Sequence, residues 1–191
     1  MQRRTSLIAL GSNVAAQGCT PADILRAAIE ALHSPDIGVG AVSSFYETPC
    51  WPPGAGPDFV NAAAELASGL SPEALLAALH HVEMQLGRVR GRRWGPRCID
   101  LDLIGAGDAV RPDRAGWAAW ADLAPERQAE TAPEHLILPH PRVQDRPFVL
   151  VPLAEIAPDW RHPVLDLTVR ELRDRLPATD LAQVRRIAGP R

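Results

Sequence analysis

The segment CIDLDLI, residues 98–104, alternates between apolar and acidic side chains. Alternation with a period of two is typical of a β-strand that buries one face and exposes the other. It predicts that the apolar side chains point inward and that Asp100 and Asp102 lie together on the opposite face. Because such a strand needs hydrogen-bonding partners, the segments that flank it in the sequence decide the fold.

The flanking segments predict a strand–helix–strand–strand–helix–strand order. Further strands are predicted at 6–10, 37–47 and about 58–67, and helices that begin at Thr20-Pro21 and Ser71-Pro72. Each helix start places a hydroxyl residue at the N-cap and proline at the first helical position. This order with antiparallel hairpins predicts an α+β fold, a ferredoxin-like antiparallel sheet with helices packed on it as a three-layer α/β/α sandwich.

The whole chain, residues 1–191, is expected to form a single domain. Residues 105–133 are rich in alanine, proline and charge, which indicates an excursion from the main core with one short helix. An apolar helix is predicted at 147–156, and Thr168 with Glu171 forms a capping box that opens another.

Composition excludes several classes of function. The net charge is −3 and all 20 basic residues are arginine, so a Schiff-base lysine and a lysine-containing P-loop are excluded. The charge also argues against a general binder of nucleic acid or of membrane surfaces. Three cysteines without a C-x-x-C pair encode neither a disulfide framework nor a zinc knuckle. The first apolar run is too short for a signal peptide, so a cytoplasmic location is expected.

An arginine-rich segment precedes the acidic strand. Residues 88–97, RVRGRRWGPR, contain five arginines. Guanidinium groups bind phosphate oxygens in pairs, and magnesium takes one or two carboxylates together with substrate phosphates. The arginines followed by Asp100 and Asp102 therefore indicate phosphoryl transfer. The alternative is a solvated strand face beside a soluble loop.

Two other motifs are weaker. In PDFVNAA, residues 57–63, Phe59 and Asn61 share a strand face, and an asparagine amide can pair with the edge of a heterocycle. In PHPRVQDRPF, residues 139–148, His140 can contact a phosphate and Phe148 can stack on a flat ring. Taken alone, the first motif favours an ordinary edge strand, and the second is equally compatible with a proline-rich loop before a helix.

Taken together, these segments resemble the 6-hydroxymethyl-7,8-dihydropterin pyrophosphokinase family of folate biosynthesis. The resemblance covers residues 8–13, 43–49, 57–63, 87–103 and 138–158, in that order. It implies that ATP transfers its pyrophosphoryl group to the pterin hydroxymethyl group, leaving AMP. His135 and Ile137 depart from the arginine and threonine of some relatives, at positions on the nucleotide side.

The resemblance also implies the roles of individual residues. Asp100 and Asp102 would hold two Mg²⁺ ions that bridge the phosphates of ATP, the co-substrate. Catalytic roles fall to Arg88, Trp94 and Arg97; nucleotide contacts to Glu83, Arg90, Arg93, His140 and Arg146; and the pterin pocket to Thr48, Pro49, Trp51, Phe59, Asn61 and Phe148. The expected partners are these small molecules, without nucleic acid or membrane, and the chain is expected to be a monomer, with other folate-pathway enzymes as possible partners.

Two rival functions have testable signatures. A nucleotidyltransferase also pairs Gly-Ser with Asp-x-Asp, but it would release pyrophosphate rather than AMP, and here Gly11 lies far from Asp100 in the sequence. A ferredoxin-like RNA-binding module would place aromatic side chains on the sheet and bind RNA with a strong salt dependence.

Overall fold

The structure is a computed structural model that describes residues 3–15, 18–50, 54, 56–88, 98–124, 127 and 131–187. Six strands form one sheet: β1 (Arg4–Ser12), β2 (Ile37–Val42), β3 (Phe45–Thr48), β4 (Phe59–Ser68), β5 (Asp100–Ala106) and β6 (Arg185–Ile187). The strand order is β5-β1-β4-β3-β6, and β2 also pairs with β4. Every pairing is antiparallel, which confirms the predicted sheet.

The helices are α1 (Pro21–Leu32), α2 (Pro72–Gln85), α3 (Arg114–Ala121), α4 (Pro147–Ile156), α5 (Val169–Asp174) and α6 (Ala178–Leu181). Their predicted starts are confirmed. The side chains of Thr20 and Thr168 each accept a hydrogen bond from the backbone N–H of the residue three positions later, Asp23 and Glu171 respectively. The carboxylate of that residue in turn accepts the backbone N–H of the threonine. Such reciprocal bonds satisfy two backbone donors that a helix start otherwise leaves unpaired.

Two apolar cores lie on opposite faces of the sheet, which makes the fold three layers. On one face α1 and α2 pack on side chains of β1, β4 and β5 that include Ile8, Ala62 and Leu101. On the other face α4 packs on the alternate residues of these strands, among them Ala63 and Ile104, and α5 packs against α4. The second face also carries Asp100 and Asp102, the first and third residues of β5, so the candidate site lies on the α4 side.

The predicted strand at 37–47 is wrong in one respect, because it is two strands that separate at Ser43 and Ser44. The Ser43 hydroxyl accepts a hydrogen bond from the backbone N–H of Ala63 and donates to the carbonyl of Ser44. Side-chain hydrogen bonds to the backbone compete with a regular ladder. The interruption allows β3 to leave the path of β2 and to pair with the far end of β4.

The segment at 105–133 begins differently from the predicted excursion. Gly105 and Ala106 complete β5, and α3 follows. Trp117 on α3 is buried, and its indole N–H donates to the carbonyl of Pro139 at 2.8 Å. This residue ties α3 to the loop that precedes α4. That the whole chain forms one domain stays a prediction.

Within the described residues, every helix is too short or too polar to cross a bilayer.

Candidate active site

The two aspartates lie on one face of β5, as predicted. Asp100 is opposite Gly11 and Asp102 is opposite Ala9 on β1. Each carboxylate is paired with an arginine: Arg88 Nη1 lies 2.7 Å from Asp100 Oδ1, and Arg146 Nη1 lies 3.2 Å from Asp102 Oδ2. Both aspartates remain partly exposed, with 25% and 37% of their side-chain surfaces accessible. The acid pair is therefore reachable from solvent and neutralised locally by two cations.

A buried glutamate on α2 supports the acid pair from the other layer. Glu83 is only 3% exposed, and its Oε1 accepts the backbone N–H of Leu101 at 2.7 Å, between the two aspartates. The same oxygen accepts a hydrogen bond from Arg88, which also pairs with Asp100. Burial raises the pKa of Glu83, while the bonds from Leu101 and Arg88 act in the opposite direction. Glu83 thus connects α2, Arg88 and the strand that carries the acid pair.

Arg146 lies just before α4 and contacts both Asp102 on β5 and Phe148 on α4. Its guanidinium contacts Asp102, and it also lies over the ring of Phe148, 5.7 Å from the ring centroid. A planar cation over an aromatic face is an attractive arrangement that fixes both side chains. Phe148 itself is 36% exposed. One face of its ring is thus covered by Arg146, and the side chain is accessible for a further contact.

His140 is held next to this cluster by the backbone. The backbone N–H of His140 donates to the carbonyl of Ile104 on β5, and the ring Nδ1 accepts the backbone N–H of Arg142. The ring proton of the neutral form is consequently on Nε2. Burial, together with the positive charge of Arg146, holds the pKa of His140 well below its usual value. The imidazole is therefore a neutral hydrogen-bond donor at physiological pH.

A second cluster, the amide slot, consists of Thr48, Phe59, Asn61 and Gly11 on β3, β4 and β1. Asn61 is 4% exposed, and its amide Nδ2 donates to Thr48 Oγ1 at 2.8 Å. Thr48 is opposite Phe59 in the β3–β4 pairing, and Gly11 is opposite Asn61 in the β1–β4 pairing. A Cβ atom at Gly11 would lie 3.2 Å from Asn61 Oδ1 and 3.9 Å from the Phe59 ring. The absence of a side chain at Gly11 leaves room above the sheet here.

The amide slot and the acid pair are joined by one row of residues across the sheet. Asp100 on β5 pairs with Gly11 on β1, and Gly11 pairs with Asn61 on β4. Two strand spacings separate Asp100 from Asn61, or about 10 Å between backbones. The sequence motif around Gly11 indicated a strand that ends in a loop, but it did not indicate that this glycine lies between the two clusters.

The structure brings together most of the described residues that the sequence predicted. One group contains six residues expected to bind metal or nucleotide, with Phe148 beside it: Glu83, Arg88, Asp100, Asp102, His140 and Arg146. Thr48, Phe59 and Asn61, which are expected in the pterin pocket, lie together in the amide slot and are followed by the exposed Pro49. Trp51, Arg90, Arg93, Trp94 and Arg97 lie outside the described residues. The roles of all these residues stay predictions.

Comparison with known proteins identifies the family. The 7,8-dihydro-6-hydroxymethylpterin-pyrophosphokinase (HPPK) family matches residues 7–158, which include every residue of both clusters. The chain belongs to this family. That membership confirms the HPPK resemblance predicted from the sequence. Both clusters therefore lie within the segment by which an HPPK is recognised.

Individual HPPK relatives agree with this assignment. The chain is 41% identical over 143 residues to a 2-amino-4-hydroxy-6-hydroxymethyldihydropteridine pyrophosphokinase of Synechocystis, which covers 75% of this chain and 63% of the relative. Proteins of that name from Methylorubrum extorquens and Pseudomonas aeruginosa are 38% and 36% identical, over 93% and 95% of this chain and 96% of each relative. The chain thus spans under two thirds of the first relative's length and nearly all of the other two.

A solved structure shows the same fold at low sequence identity. Wild-type HPPK-DHPS of Plasmodium falciparum superimposes with a TM-score of 0.61 at 14% identity, over 91% of this chain and 45% of that chain. The ferredoxin-like α+β fold predicted for this chain is thereby confirmed.

Proposed function

We propose that this chain transfers the pyrophosphoryl group of ATP to the hydroxymethyl group of 6-hydroxymethyl-7,8-dihydropterin, forming AMP and the pterin diphosphate. The observation that supports this most directly is the row from Asp100 through Gly11 to Asn61. It places an acid pair suited to metal and phosphate about 10 Å from an amide suited to a heterocycle. A pyrophosphoryl group bound at the acid pair would then lie next to a pterin held at the amide slot.

Magnesium fits the residues of the phosphate side. Two carboxylates on one strand face, partly exposed, are the protein ligands that Mg²⁺ takes when substrate phosphates complete its coordination. Asp100 and Asp102 would hold two such ions, which neutralise developing charge on the phosphates when bound. The described residues contain no group of three or more His, Cys, Asp or Glu side chains placed to hold a metal without substrate.

Arg88 and Arg146 would bind and orient the triphosphate. Each guanidinium already lies beside one of the aspartates, so a short rearrangement of either side chain reaches an incoming phosphate. Guanidinium groups match pairs of phosphate oxygens, and their position before substrate arrives lowers the cost of ordering them. His140, neutral with a proton on Nε2, would donate a hydrogen bond without adding charge. The arginine-rich segment would add Arg90, Arg93 and Arg97, with Trp94 covering the site.

The pterin would lie on the amide slot. The Asn61 amide, oriented by Thr48, presents a donor and an acceptor in one plane, which suits the edge of a flat heterocycle. Phe59 and Phe148 would lie against the faces of the pterin, and Pro49 and Trp51 are the other residues expected to contact it. In this arrangement the protein supplies position and charge rather than a strong general base, as the loose transition state of phosphoryl transfer allows. We further propose that the chain acts as a monomer.

The products test the proposal directly. Purified protein, Mg-ATP and 6-hydroxymethyl-7,8-dihydropterin are expected to yield AMP and pterin diphosphate in equal amounts. Formation of ADP would mean transfer of a single phosphoryl group, and release of pyrophosphate would mean nucleotidyl transfer, so either product contradicts the proposal. Omission of the pterin provides the control, because AMP formation should then cease.

A further inference from the structure

A glutamate at the far end of α4 binds the strand that carries Thr48. Glu155 Oε2 accepts hydrogen bonds from the Ser44 backbone N–H at 2.9 Å and from the Tyr46 hydroxyl at 2.9 Å. Its Oε1 accepts the Ser44 hydroxyl at 2.8 Å. Three donors from one short segment thus converge on one carboxylate, although Ser44 and Glu155 are 111 residues apart in the sequence.

This glutamate acts on both walls of the candidate site. Its helix, α4, begins beside Arg146 and carries Phe148, seven residues or about 10 Å along the helix from Glu155. Glu155 is also hydrogen-bonded to Tyr46 on β3. Thr48 lies two residues further along that strand, about 7 Å from Tyr46. Glu155 therefore fixes the separation between the helix that bears Phe148 and the strand that bears Thr48.

The strand β3 is only four residues long. It pairs with β4 and with β6 through three residues each, and the regular ladder with β4 is interrupted just before it at Ser43 and Ser44. Glu155 accepts the backbone N–H of Ser44 at this interruption and also accepts the Ser44 hydroxyl. Arg186 on β6 lies 3.6 Å from Glu155 Oε1 and supplies a positive charge on the solvent side.

The ionisation states suit a permanent contact. Burial and the bond to Glu155 raise the pKa of Tyr46 to about 12, so its hydroxyl remains a donor. Desolvation acts to raise the pKa of Glu155, but the hydrogen bonds from Ser44 and Tyr46 hold it below its usual value. The carboxylate is therefore charged, and an acceptor only, at physiological pH.

We infer that Glu155 is a positioning residue for pterin binding, which sets β3 so that Thr48 orients the Asn61 amide. This inference rests on the proposed function of the amide slot. The nucleotide is expected to be little affected, because Asp100 and Arg88 are held by β5 and α2. Arg146, at the opposite end of α4 from Glu155, has its own ion pair with Asp102 on β5. Loss of a residue that only stabilised the fold would not weaken pterin binding while leaving nucleotide binding unchanged.

The test compares substrate affinities of Glu155→Ala, Glu155→Gln and Tyr46→Phe with wild type. Calorimetry measures the Kd of a non-hydrolysable ATP analogue with Mg²⁺, and then the Kd of the pterin on the analogue-bound protein. For Glu155→Ala we expect the pterin Kd to rise about tenfold, and the analogue Kd to change less than about twofold. Glu155→Gln should bind pterin almost as tightly as wild type, since the glutamine amide oxygen can still accept hydrogen bonds from Ser44 and Tyr46.

Tyr46→Phe provides a second variant and a test of coupling. It should raise the pterin Kd by a smaller factor, and the double variant with Glu155→Ala should bind pterin about as weakly as Glu155→Ala alone. Glu47→Ala is the matched control, since this glutamate lies on the same strand, points to the other face and pairs with Arg185 on β6. Its pterin Kd should equal that of wild type.

The outcomes separate this inference from the proposed function. Equal weakening of pterin and analogue by Glu155→Ala, or additive effects in the double variant, would overturn the positioning role. If Glu155→Ala does not fold, Tyr46→Phe alone decides, and an unchanged pterin Kd in that variant rejects the inference. If wild-type protein binds pterin but forms no AMP, the proposed reaction is rejected. The role of Glu155 in pterin binding is then still decided by the same comparison of Kd values.

Discussion

Arg146 Nη1 lies 3.2 Å from Asp102 Oδ2, so the residue just before α4 is paired with the residue at the third position of β5. The guanidinium also lies over Phe148. Arg146 thus joins Asp102, the proposed magnesium ligand, to Phe148, an aromatic side chain proposed to contact the pterin. Removal of the negative charge at Asp102 should therefore affect catalysis more than folding.

Asp102→Asn should lower kcat/KM by at least about 100-fold, since metal-assisted stabilisation of phosphate charge is worth several kcal/mol. The unfolding midpoint in urea should stay close to wild type, because the side chain is 37% exposed and loses a single ion pair. Steady-state AMP formation at several Mg²⁺ concentrations measures the first effect. Asp159→Asn serves as the control, because this aspartate is 88% exposed and pairs with Arg170. Activity within threefold of wild type in Asp102→Asn would remove this residue from the metal site.

Glu83→Ala should destabilise the protein by about 1–3 kcal/mol, because the buried N–H of Leu101 loses its acceptor. Arg88 would keep Asp100 as a partner, so the local charge balance survives in part. Urea denaturation monitored by circular dichroism gives the free energy of unfolding. Glu73→Ala on the same helix is the control, since 54% of that side chain is exposed and its partner is Arg111 at the surface. A stability equal to the control would mean that Glu83 does not anchor β5.

Gly11→Ala should weaken pterin binding while leaving Mg-ATP binding nearly intact. The added Cβ would lie 3.2 Å from Asn61 Oδ1, so the amide must move away and its bond to Thr48 lengthens. A rise of about tenfold in pterin Kd corresponds to the loss of one good buried hydrogen bond. Gly40→Ala is a suitable control, because its Cβ meets Glu65 at ordinary distances on a surface away from the slot. Unchanged pterin affinity in Gly11→Ala would indicate that the ligand does not use Asn61.

The stability of the protein should fall in mild acid because of His162. The ring is fully buried between Trp117 and Trp160, and its Nδ1 accepts the backbone N–H groups of Val164 and Leu165. Burial lowers the pKa of His162 from 6.5 to about 4. Between these values the unfolded chain binds the additional proton, so the free energy of unfolding decreases as the pH falls.

The contribution of His162 is fully present above about pH 6.5 and is lost by about pH 4, with a total on the order of 3 kcal/mol. Urea denaturation at a series of pH values should show this slope in wild type. His162→Asn should flatten it, because the asparagine carbonyl can accept the same backbone bonds without titrating. His33→Asn, at an exposed position, should leave the slope unchanged. Equal slopes in wild type and His162→Asn would show that another group is responsible.

Local patterns were enough to predict most of the elements and the placement of the two aspartates on one strand face. The period of two in residues 98–104 predicted both the strand and the shared face of Asp100 and Asp102, because strand geometry alone imposes that alternation. Capping at Thr20 and Thr168 was predictable for the same reason, since donor and acceptor are three residues apart. The interruption at Ser43 was not predictable, because the partner of its hydroxyl is Ala63 on another strand.

The sequence by itself determined which residue types are available for chemistry: a strand with two carboxylates, a cationic segment and no lysine. The tertiary structure decided what each residue contacts. Glu83 became an anchor for Leu101, Gly11 became the gap between the two clusters, and Glu155 reached Ser44. These pairs lie far apart in the sequence, and strand register and helix packing bring them together. Short-range periodicity carries no information on such contacts, because it depends only on neighbours within the same element.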